Sequence, residues 1–442
     1  MDWLYCLTDA NAMTLSFAVL LVAYIFIASG KVSKVTVALL GACAVIIWGL
    51  VSTDKFLPTG KPNPNYYVNF IDFNVIFLLI GMMLIVSITA KSGIFDLIAK
   101  KMVSLARGHP MGILFALGIF TGVVSAFLDN VTTVILVLPI TFSICDKLQI
   151  SPLPYLLTEI FASNIGGTAT LIGDPPNIIR GSAGNLSFTD FLRVSTPVVL
   201  IILLVVIGAM CIVFRRDLRA SESLMAQFAE FKSERIRLHK RSAIRSLSIL
   251  FLVILGFMLH GITGIPASVT ALAGASVLML SEKPESLFKD VEWNSIFFFI
   301  GLFVIIGALE ASGAIKLMAN AMIEFTGGSQ CATSMIILWG SGLISGVIDN
   351  IPYTATIAPM ILEIEKDLGR AYADPLWWSL SLGACLGGNM TIIGAAANVI
   401  VSETAAKRGL NISFAKFLLY GSAITFISLA ISTVYIILRY FI

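Results

Sequence analysis

An all-α integral membrane protein, an inverted repeat of two halves, is the fold class that three observations predict. The first is composition. Of 442 residues, 57% are hydrophobic and only 12% charged, and the mean hydropathy is +0.94. A soluble domain carries roughly a quarter charged residues. The apolar runs are continuous rather than alternating over ~10 residues, which selects helices over barrel strands. The second is duplication. Asn74, Ile76, Phe77, Ile80, Gly81, Ile85, Ser92 and Gly93 each recur 220 positions later. The same offset pairs Gly122, Ser125, Asp129, Asn130 and Pro139 with Gly342, Ser345, Asp349, Asn350 and Pro359. One residue of slip then aligns Gly166-Gly-Thr-Ala-Thr-Leu-Ile-Gly with Gly387-Gly-Asn-Met-Thr-Ile-Ile-Gly, and Asn177 with Asn398. Gly/Pro-interrupted segments at matching places in two apolar halves are the pattern of a secondary transporter. The third is the asymmetry of basic residues, which fixes the threading.

Taken in order, the first half (1–214) offers spans at 12–29, 35–51, 71–90, 154–179 and 194–214. The second half (246–442) offers 246–262, 267–281, 293–312, 375–400 and 416–438. Two further apolar stretches, 111–145 and 331–362, are too long for one span of ~20 residues. Each is also interrupted at its centre, by Asp129-Asn-Val-Thr-Thr and by Asp349-Asn-Ile-Pro-Tyr-Thr. Both read as re-entrant hairpins. Each half then has five transmembrane helices, one of them broken, plus one hairpin. With both termini outside, 21 basic residues fall inside and 8 outside, as the positive-inside rule requires. An odd number of spans inverts the second half, so the 111–145 hairpin enters from inside and the 331–362 hairpin from outside. The stretch between the halves, 215–245, carries nine basic residues and reads as a cytoplasmic amphipathic linker helix rather than a nucleic-acid site.

Other signals are weak. Residues 1–11 have no basic residue, which argues against a cleaved signal peptide. The six cysteines and three histidines are scattered. No metal-ligand spacing or catalytic set appears, so neither a metal centre, a resident cofactor nor an enzyme is expected.

The most specific string is Ala162-Ser-Asn-Ile-Gly-Gly-Thr-Ala-Thr-Leu-Ile-Gly-Asp-Pro-Pro-Asn. Its glycines and prolines cannot form an uninterrupted helix. The helix should break near 166–173, with Asp174 as the cap and Pro175 as the first residue of the new helix. Asn177 and Asn398 mark equivalent places after the two breaks. The second copy has Ala395-Ala-Ala where the first has Asp-Pro-Pro, so its break should be milder. Broken backbone at mid-depth is tolerated where it lines a polar cavity. A substrate or ion site is therefore expected from Asp129, Asn130, Thr132 and Thr133 of one tip and Asp349, Asn350 and Thr354 of the other. The broken helices add Asn164, Gly166, Gly167, Thr168, Gly387, Gly388, Asn389 and Thr391. A carboxylate at the bilayer centre needs a partner, a proton or a cavity. Capping of the tips is the alternative role for Asp129 and Asp349, and packing between helices is the alternative for the amides and hydroxyls. Glu159 is a candidate coupling carboxylate, Glu310 an interfacial one. Cys385 precedes the second Gly-Gly pair and could touch a thiophilic cargo.

These four motifs resemble the ion transporter superfamily, in the branch of ArsB-type arsenite permeases, NhaD-type sodium–proton antiporters and the melanosomal P protein. The resemblance covers most of the chain. It implies two hairpins in an inverted repeat and an elevator-like or related alternating-access cycle. The related dicarboxylate carriers have Ser-Asn-Thr at both tips, whereas aspartate stands in the serine position here. No Lys or Arg lies in the motif cores, so an organic anion such as citrate would meet two acids and no base. Proton-coupled efflux of arsenite or antimonite is the expected function. A sodium–proton antiporter and an organic-anion carrier are the alternatives. The coupling ion would be H+ or Na+. The expected partners are a small inorganic solute or ion and the bilayer, with a second copy of the chain and an arsenite-stimulated ATPase as candidate protein partners. The expected location is the cell inner membrane.

Overall fold

The structure, a computed structural model, describes residues 9–50, 66–221, 238–282 and 284–442. Among them every regular element is helical. The first copy runs α1 (Asp9–Ser29), α2 (Lys34–Ile47), α3 (Phe73–Lys91), α4 (Ile94–Leu105), α5 (Pro110–Ser125), α6 (Asn130–Leu148), α7 (Leu153–Gly167), α8 (Pro175–Ala183) and α9 (Phe188–Val213). The second runs α10 (Lys240–Met258), α11 (Ala267–Met279), α12 (Trp293–Ala311), α13 (Ala314–Phe325), α14 (Gln330–Ser345), α15 (Asn350–Leu368), α16 (Arg370–Gly387), α17 (Ala396–Lys407) and α18 (Phe414–Tyr440). Seven of these helices are long and apolar enough to cross a membrane by length and composition. The helices α2, α5 and α11 are apolar but shorter. The two long interrupted stretches are each a helix–turn–helix, α5–α6 and α14–α15, as the central polar residues require.

Local chemistry places the helix ends. Asp72 starts α3 by accepting from the Asn74 and Val75 amides at 2.9 and 3.3 Å. Ser187 starts α9 in a reciprocal bond pair with Asp190. Gly93 and Gly313 end α3 and α12 in the left-handed conformation, both at φ 78°, which only glycine adopts at little cost. Each is followed by a helix that the apolar runs do not reveal, α4 and α13. At 12 residues apiece these are too short to register as spans. Their buried residues recur at helical spacing, Phe95, Ala99 and Val103 in α4 and Ala314, Ile315 and Ala319 in α13.

The duplicated helices α3 and α12 run in opposite directions. Lys91, at the end of α3, pairs with Asp290, just before α12. At the other end of the same two helices, Phe70 packs where a Gly307 side chain would stand. Two helices related by the duplication thus lie antiparallel, as inversion requires. They also exchange partners: α2 packs on α12 and α11 on α3. A Cβ on Gly81 would come within 2.8 Å of the Ala271 carbonyl carbon, and one on Gly301 within 2.7 Å of that of Ala38. Both crossings need glycine for backbone contact.

Two expectations are corrected. The second break is not milder: residues 168–174 separate α7 from α8, and 388–395 separate α16 from α17. The reason is a shared staple. The Asn177 amide donates to the Gly167 and Thr170 carbonyls at 2.9 and 2.6 Å. The Asn398 amide donates to those of Gly388 and Thr391 at 2.7 and 2.8 Å. Each asparagine satisfies carbonyls that the break frees, so the interruption does not depend on the Asp-Pro-Pro string. The second correction concerns the linker. α10 begins at Lys240, so Arg241 and Arg245 belong to a helix of the second half, where long stems let the charge reach outward. The remaining linker expectation, at 222–237, lies outside the described residues.

Candidate functional site

The hairpin tips and the broken helices meet. Asp129 is the N-cap of α6 and accepts from the Thr132 amide at 2.8 Å and the Thr132 hydroxyl at 2.5 Å. Asp349 is the N-cap of α15 and accepts from the Ile351 amide at 3.1 Å. The capping role is therefore real for both acids. It does not exhaust them, because each has a second oxygen and faces polar neighbours. A cavity of about 50 Å³ lies between the tips, lined by Asp129, Asn130, Asp174, Asn350, Glu292 and Lys34, with Met82 and Phe299 among its apolar walls.

Behind it runs a buried chain of amides. Asn130 donates to Asn164 at 3.2 Å. Asn164 in turn donates one hydrogen to Asn389 and one to Asn398, both at 2.9 Å. All four are buried, and the chain joins one copy to the other. The Asn389 amide nitrogen has no acceptor. The glycines permit this closeness. A Cβ on Gly166 would fall on Gly122, and one on Gly387 on Gly342. Ser125 and Ser345 add matched bonds to the Ser163 and Ala384 carbonyls at 2.7 and 2.6 Å.

Asp174 departs from expectation. It occupies the N-cap position of α8, with Pro175 first in the helix, but its side chain makes no capping bond. Pro175 and Pro176 have no N–H to offer, and the third-position amide, that of Asn177, donates to the Asp174 main-chain carbonyl at 2.9 Å, so the side chain has no free donor to cap. The carboxylate turns instead to the other copy. One oxygen accepts from the Asn350 amide at 3.1 Å and the other has no partner.

Several expected contributors spend their polar atoms on the fold. Thr133 donates to the Asp129 carbonyl at 2.9 Å, Thr168 to that of Asn164 at 2.8 Å and Thr391 to that of Gly346 at 2.6 Å. Gly167 and Gly388 present carbonyls to the two asparagine staples. The Thr354 hydroxyl is buried without a partner. Glu159 is buried, takes a bond from Thr141, leaves its other oxygen unpaired, and is not among the cavity residues. Glu310 is exposed.

Three charged residues were missed or misplaced. Arg180 reads as a loop residue but is fully buried in α8. It donates to the Leu380 carbonyl at 3.3 Å and to the Cys385 sulfur at 3.5 Å. The Cys385 thiol also donates to the Asn177 side-chain oxygen Oδ1 at 3.5 Å, so it braces the broken helix. Lys34 overturns the expectation that both tip acids lack a basic partner: its ammonium is 3.1 Å from Asp349. Glu292, just before α12, lines the same cavity. A signal existed for Lys34, since a cation in the first turn of a helix opposes the dipole. For Arg180 the signal was its place in the half-helix after the break. Glu292 had none.

Two broken helices and two hairpin tips enclosing a polar cavity within an apolar multi-helix bundle define a membrane transporter. The chain belongs to the CitMHS family, described as citrate transporter, whose model matches residues 24–383. The family lies in the ion transporter superfamily that the motifs resemble. An uncharacterized transporter of Mycobacterium tuberculosis is 40% identical over 424 residues, covering 95% of this chain and 97% of its own. The human P protein is 30% identical over 511 residues, covering 97% of this chain and 60% of its own longer length. Among solved structures, the YdaH transporter of Alcanivorax borkumensis matches with a TM-score of 0.58 at 12% identity. That match covers 96% of this chain and 97% of the other. At this identity it speaks for the fold alone.

Proposed function

We propose that the protein is a proton-coupled secondary transporter that exports arsenite or antimonite by alternating access. The observation that carries this reading is the cavity: three carboxylates and a single lysine around about 50 Å³. That volume holds a few waters or a small solute. It is far below the roughly 300–1,000 Å³ of sites for larger organic ligands. Undissociated arsenous acid is small and neutral, with three hydroxyls for carboxylates and amides to bond. An organic anion would face net negative charge, and both nearby cations are engaged, Lys34 by Asp349 and Arg180 by a carbonyl and a thiol. The same acid excess favours a second reading, a sodium–proton antiporter. In an arsenite-sensitive host lacking its own exporter, the protein should restore growth and lower cell arsenic. Everted vesicles with a respiratory proton gradient should show little sodium-evoked dissipation. If sodium or lithium collapses the gradient and arsenic is unchanged, the antiporter reading replaces this one. Citrate uptake in the same vesicles would replace both.

The threading belongs to this proposal: inner membrane, both termini outside, 215–245 cytoplasmic, the first hairpin entering from inside and the second from outside. Removing Arg180 and Lys34 from the loop count leaves 20 basic residues inside against 7 outside. In a background without native cysteines, Arg216→Cys and Lys316→Cys should label from opposite sides of the membrane, since both positions are exposed. Equal labelling by an impermeant maleimide in intact cells would overturn the threading.

A further inference from the structure

The two acids related by the duplication are not in equivalent surroundings. Asp349 accepts from Lys34 at 3.1 Å, with the two side chains 10% and 30% exposed. Asp129 accepts only from Thr132 among side chains, and no lysine, arginine or histidine of the described residues pairs with it. Lys34 is the first residue of α2, and α2 packs on α12, whereas Asp349 belongs to the α14–α15 tip. The ion pair therefore ties a hairpin tip to an element outside the hairpin. The ammonium also sits over the Phe298 ring of α12, 5.2 Å from its centroid. Helix formation does not account for a cation there, because it opposes the dipole at the start of α2. The other charged groups facing this space are Glu292 and Asp174, with Arg180 beyond Asp174, bound to Leu380 and Cys385.

We propose that Lys34 is an internal counter-ion of Asp349 that competes with the coupling cation at that tip, leaving Asp129 as the tip acid that binds it. This rests on the ion-coupled reading of the same site. Lys34 acts through Asp349 and is a positioning residue. Its ammonium is tethered within reach, so it holds Asp349 at a high effective concentration. Removing it frees a second carboxylate. A cycle that carries one driving cation in the parent carries two without the lysine.

The test uses the purified full chain in proteoliposomes, with sodium and proton gradients titrated in separate series against cargo flux and charge moved per cycle. Lys34→Met, which keeps the stem and loses the charge, should steepen the cation dependence from a Hill slope of about one towards two. It should also lower the half-saturating cation concentration at least about tenfold. Lys34→Arg should behave like the parent. If Lys34→Met does not transport, cation-dependent thermal stabilisation in detergent gives the same comparison without turnover. Unchanged slope and half-saturation in Lys34→Met, beside a parent that responds to cation, overturn the counter-ion role alone. A parent indifferent to both cations overturns the coupled reading and the counter-ion role with it.

Discussion

Asp129→Asn is expected to reduce coupled transport to the level of empty liposomes while leaving the fold intact. Asparagine and aspartate are nearly equal as N-caps. The bond to the Thr132 amide therefore survives, and stability should change by no more than about 0.5 kcal/mol. What is lost is a group that can change its charge while facing the cavity. Asp349→Asn should act differently: Asp129 still binds the cation and coupling persists, but the Lys34 ammonium loses its partner. A partly buried cation left without its counter-ion is costly, so this variant should unfold more readily. Adding Lys34→Met should recover its stability and keep its coupling through Asp129. Proton-driven flux near the parent's in Asp129→Asn would reduce that acid to a structural cap.

The largest stability effect should come from Asn164→Leu. The substitution keeps the branched shape and the number of side-chain heavy atoms and removes the hub of the amide chain. Asn130 loses an acceptor, and Asn389 and Asn398 each lose a donor. A buried polar group left without its partner costs about 1–3 kcal/mol, so three of them amount to on the order of 5 kcal/mol. The loss falls at the junction of the two copies, where α7 of one meets the broken helix of the other. Thermal unfolding in detergent should shift far more than for a conservative apolar exchange elsewhere on α7, such as Ile160→Val. A shift no larger than that control would mean that water or rearranged amides replace Asn164.

Much of the fold and the site is legible in the amino-acid sequence. The duplicated strings predict which segments correspond, and Asp129-Asn and Asp349-Asn mark where each hairpin turns. The Gly-Gly strings locate both breaks. The partial failures are instructive. Asp174 before Pro175 is correctly placed at the start of α8. Its side chain is not, because the two prolines offer no donor and the Asn177 amide goes to the Asp174 main-chain carbonyl, and only the fold brings Asn350 into reach. The second break looks weak without prolines, yet Asn398 staples it as Asn177 staples the first. The helices α4 and α13 do not read as spans, because each has only 12 residues and its apolar residues are interrupted by charged and polar ones.

The sequence by itself determined the membrane class, the helices, their duplication and the positions of the interruptions. Each of these depends on residues close along the chain: hydropathy runs, turn residues, and the spacing of glycine and proline. The tertiary structure alone decided which polar groups meet. Lys34 reaches Asp349 across 315 positions, and Asn164 reaches Asn389 across 225. Arg180 is buried against Cys385 from the other copy. Those partners are set by how two inverted copies exchange helices and close over a common cavity. No local pattern encodes that, because the electrostatic partner of a buried charge is whatever the packing of distant segments leaves beside it.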